Sequence, residues 1–289
     1  MKIARFETFL ANAGLRNYLF LRLTTDAGIS GIGEASLEWQ EKTVETLCHE
    51  WVAGRVIGCD PFDVEAVVGR MVRDQYQGGA TVMTAISGVE LALWDIVGKV
   101  CGQPVYRLLG GRYHTKIATY ANGWYGGART PAEYAERARD AVARGYGALK
   151  FDPFGIAWKD LSETESEAAV ERVAAVREAI GCDVGLMIEF HGRVSATSAV
   201  QMIGKLAPFR PTWCEEPVAP ECIELLADVK RQTGAVVAAG ERLYTQADFY
   251  RLISHRAADV VQMDIAHCGG LLAAKKIAGA AAMQDMRVA

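Results

Sequence analysis

The pattern of apolar and polar positions changes along the chain, and the pattern of the first part is typical of a mixed α+β unit. Residues 17–25 alternate like a strand, and the glycine-containing stretch 26–35 continues them as a β-hairpin. Apolar residues at helical spacing predict helices over 43–56 and 61–76. The segment 80–100 is almost wholly apolar, so we predict a buried helix there.

A second pattern begins near residue 112. It follows two glycine-containing breaks in the helical pattern, at 102–104 and 110–111. Short apolar runs then alternate with amphipathic helices, which predicts parallel strands joined by crossover helices. Such a series indicates an α/β barrel of the TIM type more than an open sheet. We therefore predict one domain over 1–112 and a barrel domain over 113–289. The predicted strands are 117–120, 148–151, 184–190, 212–214, 236–239, 260–264 and 287–289.

Composition excludes several classes of protein. The net charge is -4 and basic residues form no run, so we expect no nucleic acid and no anionic membrane as partner. Charges among the first seven residues argue against a signal peptide, and we predict a cytoplasmic protein. Seven scattered cysteines without a CxxC pair predict free thiols. The glycines at 28, 31 and 33 lack the order of a dinucleotide fingerprint, and we interpret them as hairpin glycines.

The predicted strands of the second domain end in charged residues, at the edge where barrel enzymes place their chemistry. Glu189, Glu215 and Glu241 follow three successive strands, with 26 residues from each to the next. Equal spacing predicts that the three carboxylates lie at equivalent heights and meet. Carboxylates converge in this way around a cation, and oxygen-only ligands favour Mg²⁺ or Mn²⁺. The alternative is that each glutamate is a separate surface or ion-paired residue.

In their order and spacing, the motifs of the chain resemble the enolase superfamily. The similarity is to its mandelate racemase/muconate lactonizing enzyme group, and most closely to acid-sugar dehydratases of the galactonate and gluconate type. The resemblance implies a capping domain, residues 1–112, that selects the substrate above a modified (β/α)7β barrel. It also implies one Mg²⁺ on Glu189, Glu215 and Glu241, and a homo-oligomer. The motifs are Gly102–Val105, Leu108–Gly111, Leu149–Asp152, Glu189–Arg193, Glu215–Pro217, Ala239–Glu241 and Asp264–Gly270.

The resemblance further implies a hydro-lyase that removes the α-proton of an aldonate or aldarate, holds the metal-stabilised enediolate, and eliminates water to give a 2-keto-3-deoxy acid. Lys150 stands at the place of the family's base on the second strand, or alternatively anchors a carboxylate. His191 resembles the histidine that protonates the departing hydroxide. Asp264 resembles the aspartate that orients a basic histidine on the next strand. Asp152 stands where the racemases carry a second lysine.

Two alternatives to a dehydratase stay open, and one of them follows from what the sequence lacks. About 177 residues follow the cap, whereas a TIM-type barrel takes roughly 250, so we expect a barrel that is incomplete at the C-terminus. No histidine occurs at the distance of a further strand after Asp264, and the other histidines, His267 included, are expected to be structural. A racemase or epimerase of a 2-hydroxy acid is one alternative. A non-catalytic fragment or pseudoenzyme without the dyad histidine is the other.

Overall fold

The computed structural model describes residues 1–289 and divides into two compact units. The first unit comprises Met1–Thr115, Glu241–Tyr250 and Met263–Ala280, and the second comprises Lys116–Gly240, Arg251–Gln262 and Ala281–Ala289. The first unit thus includes two later segments, and a single domain boundary after residue 112 stays a prediction.

The first unit contains a three-stranded antiparallel sheet in the order β1-β2-β3. Its strands are β1 (Ile3–Asn12), β2 (Asn17–Thr25) and β3 (Ser30–Glu34). The predicted hairpin is confirmed, whereas β1 was not predicted. A π-helical turn at Cys48–Val52 joins the first two helices, so the predicted helix over 43–56 is interrupted. The helices are α1 (Glu41–Leu47), α2 (Ala53–Val56), α3 (Val64–Asp74), α4 (Ala80–Cys101) and α5 (Val105–Leu108).

Helix α4 packs directly against β3, and the strand has glycines at the points of closest approach. A Cβ atom on Gly31 would lie 2.1 Å from the carbonyl oxygen of Ala92, and one on Gly33 would lie 1.9 Å from that of Gly88. These two hairpin glycines are therefore required by packing, and only Gly28, with φ of +81°, serves the turn.

The length and apolar composition of α4 would allow it to cross a membrane, but 67% of its most apolar window is buried inside the protein. This burial is typical of a core helix and confirms the predicted buried helix. Its Glu90 carboxylate accepts hydrogen bonds from the backbone N–H groups of Leu271, at 2.8 Å, and Leu272, at 2.9 Å. It thus caps the N-terminus of α11 (Leu271–Ala282). Burial raises the pKa of Glu90, although these hydrogen bonds oppose the shift.

The second unit is built on six parallel strands in the order β4-β5-β6-β7-β8-β9. The predicted strand over 117–120 is wrong, because none of these residues pairs with a strand, and the nearest pairing is the isolated bridge from Ala121 to Leu149. The strands are β4 (Ala148–Phe151), β5 (Gly185–Glu189), β6 (Trp213–Glu215), β7 (Val237–Ala239), β8 (Val260–Val261) and β9 (Arg287–Val288).

Helices connect successive strands, and two of them begin with a complete capping box. Thr130 with Glu133, and Ser162 with Glu165, exchange side-chain and backbone hydrogen bonds at the two N-termini. The alternation of strand and helix is that of a TIM-type α/β fold. The helices are α6 (Pro131–Ala143), α7 (Glu163–Ile180), α8 (Ala196–Leu206), α9 (Ile223–Thr233) and α10 (Gln246–Ser254).

One face of the parallel sheet carries a small apolar cluster of Met187, Trp213, Ala238 and Val260. Side chains two residues apart on a strand point to the same face. Glu189 lies two residues after Met187, and Glu215 lies two residues after Trp213. The two carboxylates therefore share the face of this cluster, at the carboxyl ends of their strands.

Candidate metal centre

Three glutamates at the carboxyl ends of β5, β6 and β7 bring their side chains together. Glu189 and Glu215 are paired in register as the last residues of their strands. One carboxylate oxygen from each of these residues and from Glu241 lies within 4.8 Å of the others. All three ligand atoms are carboxylate oxygens, the donor type that hard divalent cations bind.

The prediction of equal heights holds for only two of the three glutamates. The register partner of Glu215 on β7 is Ala238, so Glu241 lies three positions after that partner and two residues beyond the end of β7. Gly240, with φ of +134°, adopts a backbone conformation that favours glycine just before Glu241. The equal sequence spacing thus identified residues that do cluster, although Glu241 lies beyond the end of its strand.

Lys150 supplies a positive charge next to these carboxylates. Lys150 points to the same face of the sheet from β4. Its register partner on β5 is Met187, which precedes Glu189 by two residues. Its Nζ donates to Glu189 Oε2 at 3.1 Å and also to Glu215 Oε1. The exposed fractions of Lys150, Glu189 and Glu215 are 5%, 2% and 0%, so the ion pairs are shielded from solvent.

The pKa values of the buried ion pair favour its charged form. Burial alone would lower the pKa of Lys150, but the charges of Glu189 and Glu215 outweigh it and raise the pKa above the usual lysine value. Burial would raise the pKa of Glu215, yet the charge and the hydrogen bond of the Lys150 ammonium help to lower it overall. Lys150 is thus the counter-charge of these two carboxylates, and its role as base or as anchor stays a prediction.

Two further side chains hold the Glu215 carboxylate, and sequence reasoning missed both. Trp213 Nε1 donates to Glu215 Oε2 at 2.9 Å, and the side chain of Gln262 also hydrogen-bonds to this carboxylate. Trp213 precedes Glu215 by two residues, so strand alternation was the available signal. Gln262 directly follows β8, and no local pattern distinguishes it.

His191 lies beside the cluster, two residues after Glu189. Its backbone N–H donates to Glu189 Oε1 at 2.8 Å, and its ring Nδ1 lies 2.8 Å from Asp152 Oδ2. The side chain is 46% exposed. The structure therefore places the predicted proton donor in contact with a predicted metal ligand, and it adds Asp152 as an unpredicted partner of the imidazole.

Asp264 belongs to the first compact unit and lies in the turn after β8. Its Oδ2 is 3.5 Å from Nε2 of His267, whose Nδ1 is 2.8 Å from the Thr84 hydroxyl on α4. Asp264 Oδ1 accepts from the N–H of Ala266 at 2.8 Å. The imidazole nearest to Asp264 is thus His267, which links the turn to α4 in the manner expected of a structural histidine.

The donor chemistry of the cluster fits a divalent cation. Three carboxylates with no nitrogen or sulfur ligand match the preference of Mg²⁺ and Mn²⁺ for oxygen. The Lys150 ammonium pairs with two of these carboxylates and balances part of their negative charge. The residues that can hold the ion are Glu189, Glu215 and Glu241.

Comparison with known proteins identifies the family. Residues 5–110 match the family described as mandelate racemase/muconate lactonizing enzyme, N-terminal domain, and residues 133–289 match the family described as enolase C-terminal domain-like. The chain belongs to the mandelate racemase/muconate lactonizing enzyme group of the enolase superfamily. The resemblance drawn from the sequence motifs is thereby confirmed.

Members of this group with similar sequences include sugar-acid dehydratases. The chain is 37% identical over 265 residues to D-gluconate dehydratase of Thermoproteus tenax, covering 91% of the chain and 53% of that relative. It is 38% identical over 292 residues to D-galactonate dehydratase of Ralstonia pickettii, covering 100% of the chain and 74% of that relative. The chain thus spans about half of the first relative and about three quarters of the second.

The fold of this enolase-superfamily chain also matches solved structures. A crystal structure described as a member of the enolase superfamily from Salmonella Typhimurium aligns with a TM-score of 0.94 and 32% identity. The alignment covers 99% of the chain and 79% of the solved one. Members of the superfamily use a divalent metal, and the cluster of three carboxylates offers this chain a place to bind one.

Proposed function

We propose that this protein dehydrates a sugar acid, an aldonate or aldarate, with Mg²⁺ held by Glu189, Glu215 and Glu241. The observation that carries the proposal is the convergence of three carboxylates within 4.8 Å, with His191 bound to one of them. The names of the similar gluconate and galactonate dehydratases support the class of substrate.

The chemistry requires a cation because the proton next to a carboxylate is very weakly acidic. A divalent ion at the three glutamates would bind the substrate carboxylate and offset the negative charge that develops when this proton leaves. Lys150, as an ammonium group, keeps Glu189 and Glu215 in place and adds a positive charge beside them.

His191 is the proposed donor for the second half of the reaction. It transfers a proton to the β-hydroxyl of the substrate while the carbon–oxygen bond breaks with its electron pair on oxygen, so that water leaves. The enol that remains becomes the 2-keto-3-deoxy acid. The α-proton must pass to a base, and the proposed candidates are a histidine held by Asp264 and, as a neutral amine, Lys150. Cytoplasmic location and homo-oligomeric assembly stay predictions.

A substrate screen tests the proposal. The protein is incubated with Mg²⁺ and a panel of aldonates and aldarates, and 2-keto acids are detected with semicarbazide. We expect turnover of at least one sugar acid, loss of turnover in His191→Asn, and turnover retained in His255→Asn, which alters an exposed histidine. If the protein binds Mg²⁺ but turns over none of the sugar acids in the panel, the proposed dehydratase function is contradicted. Exchange of the α-proton without loss of water would instead identify a racemase.

A further inference from the structure

The side chain of Asp152 makes contacts that the proposed reaction has not used. We propose that Asp152, clamped by Arg193, is a positioning residue that fixes the tautomer and orientation of the His191 imidazole. This inference rests on the proposed role of His191 as proton donor. Asp152 follows β4 directly, and its side chain is 10% exposed, whereas the His191 side chain is 46% exposed.

Each oxygen of the Asp152 carboxylate has defined partners. Oδ1 accepts from the backbone N–H of Phe154 at 2.8 Å, which shapes the loop after β4. Oδ2 accepts from Arg193 Nη2 and lies 2.8 Å from His191 Nδ1. Arg193 is itself fixed, because its Nη1 donates to the carbonyl oxygen of Gly155 at 2.5 Å. The carboxylate therefore has a complete ion pair without His191, and its contact with the imidazole is additional.

These contacts determine which nitrogen of His191 carries hydrogen. Both oxygens of the Asp152 carboxylate accept hydrogen bonds from other donors, Oδ1 from the N–H of Phe154 and Oδ2 from Arg193, so the carboxylate faces His191 as an acceptor. The ring nitrogen that faces Asp152 must therefore be the donor, and the neutral imidazole carries its hydrogen on Nδ1. Nε2 is then the nitrogen that exchanges a proton with a substrate.

The backbone around His191 restricts the ring further. His191 has φ of +51°, a left-handed conformation that few non-glycine residues adopt. Two hydrogen bonds hold this conformation: the N–H of His191 donates to Glu189 Oε1 at 2.8 Å, and the N–H of Gly192 donates to the carbonyl oxygen of Glu216 at 2.7 Å. The backbone that carries the imidazole is thus held by two hydrogen bonds, and the ring itself is held at Nδ1.

The two loops that carry these residues are also joined independently of His191. The N–H of Lys159 donates to the carbonyl oxygen of Arg193, and the N–H of Ser195 donates to that of Lys159, both at 2.8 Å. The Ser195 hydroxyl donates to Asp160 Oδ1 at 2.6 Å. Asp160 therefore offers a matched control, because it links the same two loops without contacting the imidazole.

The test measures the imidazole tautomer directly by ¹⁵N NMR of histidine-labelled protein, at a pH where the ring is neutral, in EDTA and again with Mg²⁺. His191→Asn assigns the signals of His191. We expect the Nδ1–H tautomer in the wild-type protein. Asp152→Asn should give a mixture of tautomers, because an amide can donate as well as accept, and Asp160→Asn should leave the tautomer unchanged.

Activity provides a separate readout. With a sugar acid that is turned over, Asp152→Asn should lower kcat by about tenfold or more, with KM little changed, because the proton donor is misplaced. An Nε2–H tautomer in the wild-type protein overturns the inference without any variant, and so does an unchanged tautomer in folded Asp152→Asn. If the tautomer responds as expected but the wild-type protein turns over no sugar acid, the proposed function fails and the positioning of His191 by Asp152 stands.

Discussion

Replacement of Lys150 by methionine should destabilise the metal-free protein strongly. The ammonium group is the counter-charge of two carboxylates, and all three residues are at most 5% exposed. Removing one partner of a buried ion pair leaves an uncompensated charge, which costs about 3–5 kcal/mol. At about 2 °C per kcal/mol for a chain of this size, the Tm in EDTA should fall by about 6–10 °C.

The assay is thermal unfolding followed by near-UV circular dichroism, in EDTA and with increasing Mg²⁺. Lys205→Met is the matched control, because Lys205 Nζ lies 2.8 Å from Glu163 Oε1 at the surface. Such an exposed pair contributes at most about 1 kcal/mol, so the Tm of this control should change little. Mg²⁺ should raise the Tm of Lys150→Met more than that of the wild-type protein, because the ion supplies the missing positive charge.

Two results would refute this reasoning. A Lys150→Met protein as stable in EDTA as the Lys205→Met control would mean that Glu189 and Glu215 do not depend on the ammonium group. If Lys150→Met is destabilised but its Tm does not rise with Mg²⁺, then Mg²⁺ does not replace the Lys150 ammonium as the counter-charge of Glu189 and Glu215.

Glu90→Ala should lower the free energy of unfolding by about 3 kcal/mol, because the N–H groups of Leu271 and Leu272 lose their acceptor. Because the pKa of Glu90 is raised, the folded state binds the proton of this carboxyl group more tightly than the unfolded state. The contribution of Glu90 to the free energy of unfolding therefore declines as the pH rises from the ordinary glutamate pKa through the raised one. The difference between wild type and variant in urea titrations should therefore be larger at acid than at neutral pH, and a gap that widens with pH would contradict this. Burial raises the pKa of Cys48, Cys214 and Cys268 to about 12, so iodoacetamide should modify these thiols only after unfolding, whereas the exposed Cys101 and Cys182 should react in the native protein. Mass spectrometry of the alkylated peptides checks this order, and early labelling of Cys214 would show that its environment opens.

The parts of the site that sequence could predict are those set by strand alternation and repeat spacing. Glu189 and Glu215 end neighbouring strands in register, and the 26-residue repeat reflects that arrangement. Glu241 was identified by the same spacing, although it lies three positions beyond its register neighbour. The positive φ of Gly240, just before Glu241, is a local backbone feature that spacing does not encode.

The parts that sequence reasoning missed depend on contacts between distant segments. Strand β1 is at the edge of its sheet, and only its first residue, Ile3, is buried. Its sequence therefore shows no clear alternation of apolar and polar residues, and the pairing with β2 is what defines it as a strand. In the predicted strand over 117–120, Ile117 is 73% exposed, and the nearest strand pairing is the single bridge at Ala121. The apolar residues of this segment therefore do not form a hydrogen-bonded strand. Asp152 was noted only for the lysine that it replaces, because its contacts with His191 and Arg193 span 39 and 41 residues.

The most direct test of the account is the binding of Mn²⁺, measured by electron paramagnetic resonance on the metal-free protein. We predict one ion per chain, displaced by Mg²⁺. Glu189→Gln, Glu215→Gln and Glu241→Gln should each weaken binding by at least about tenfold, because each removes a carboxylate ligand. Glu163→Gln, which alters an exposed glutamate, should bind as the wild type does. Equal affinity in all four variants would contradict the assignment of the three-glutamate cluster as the metal centre.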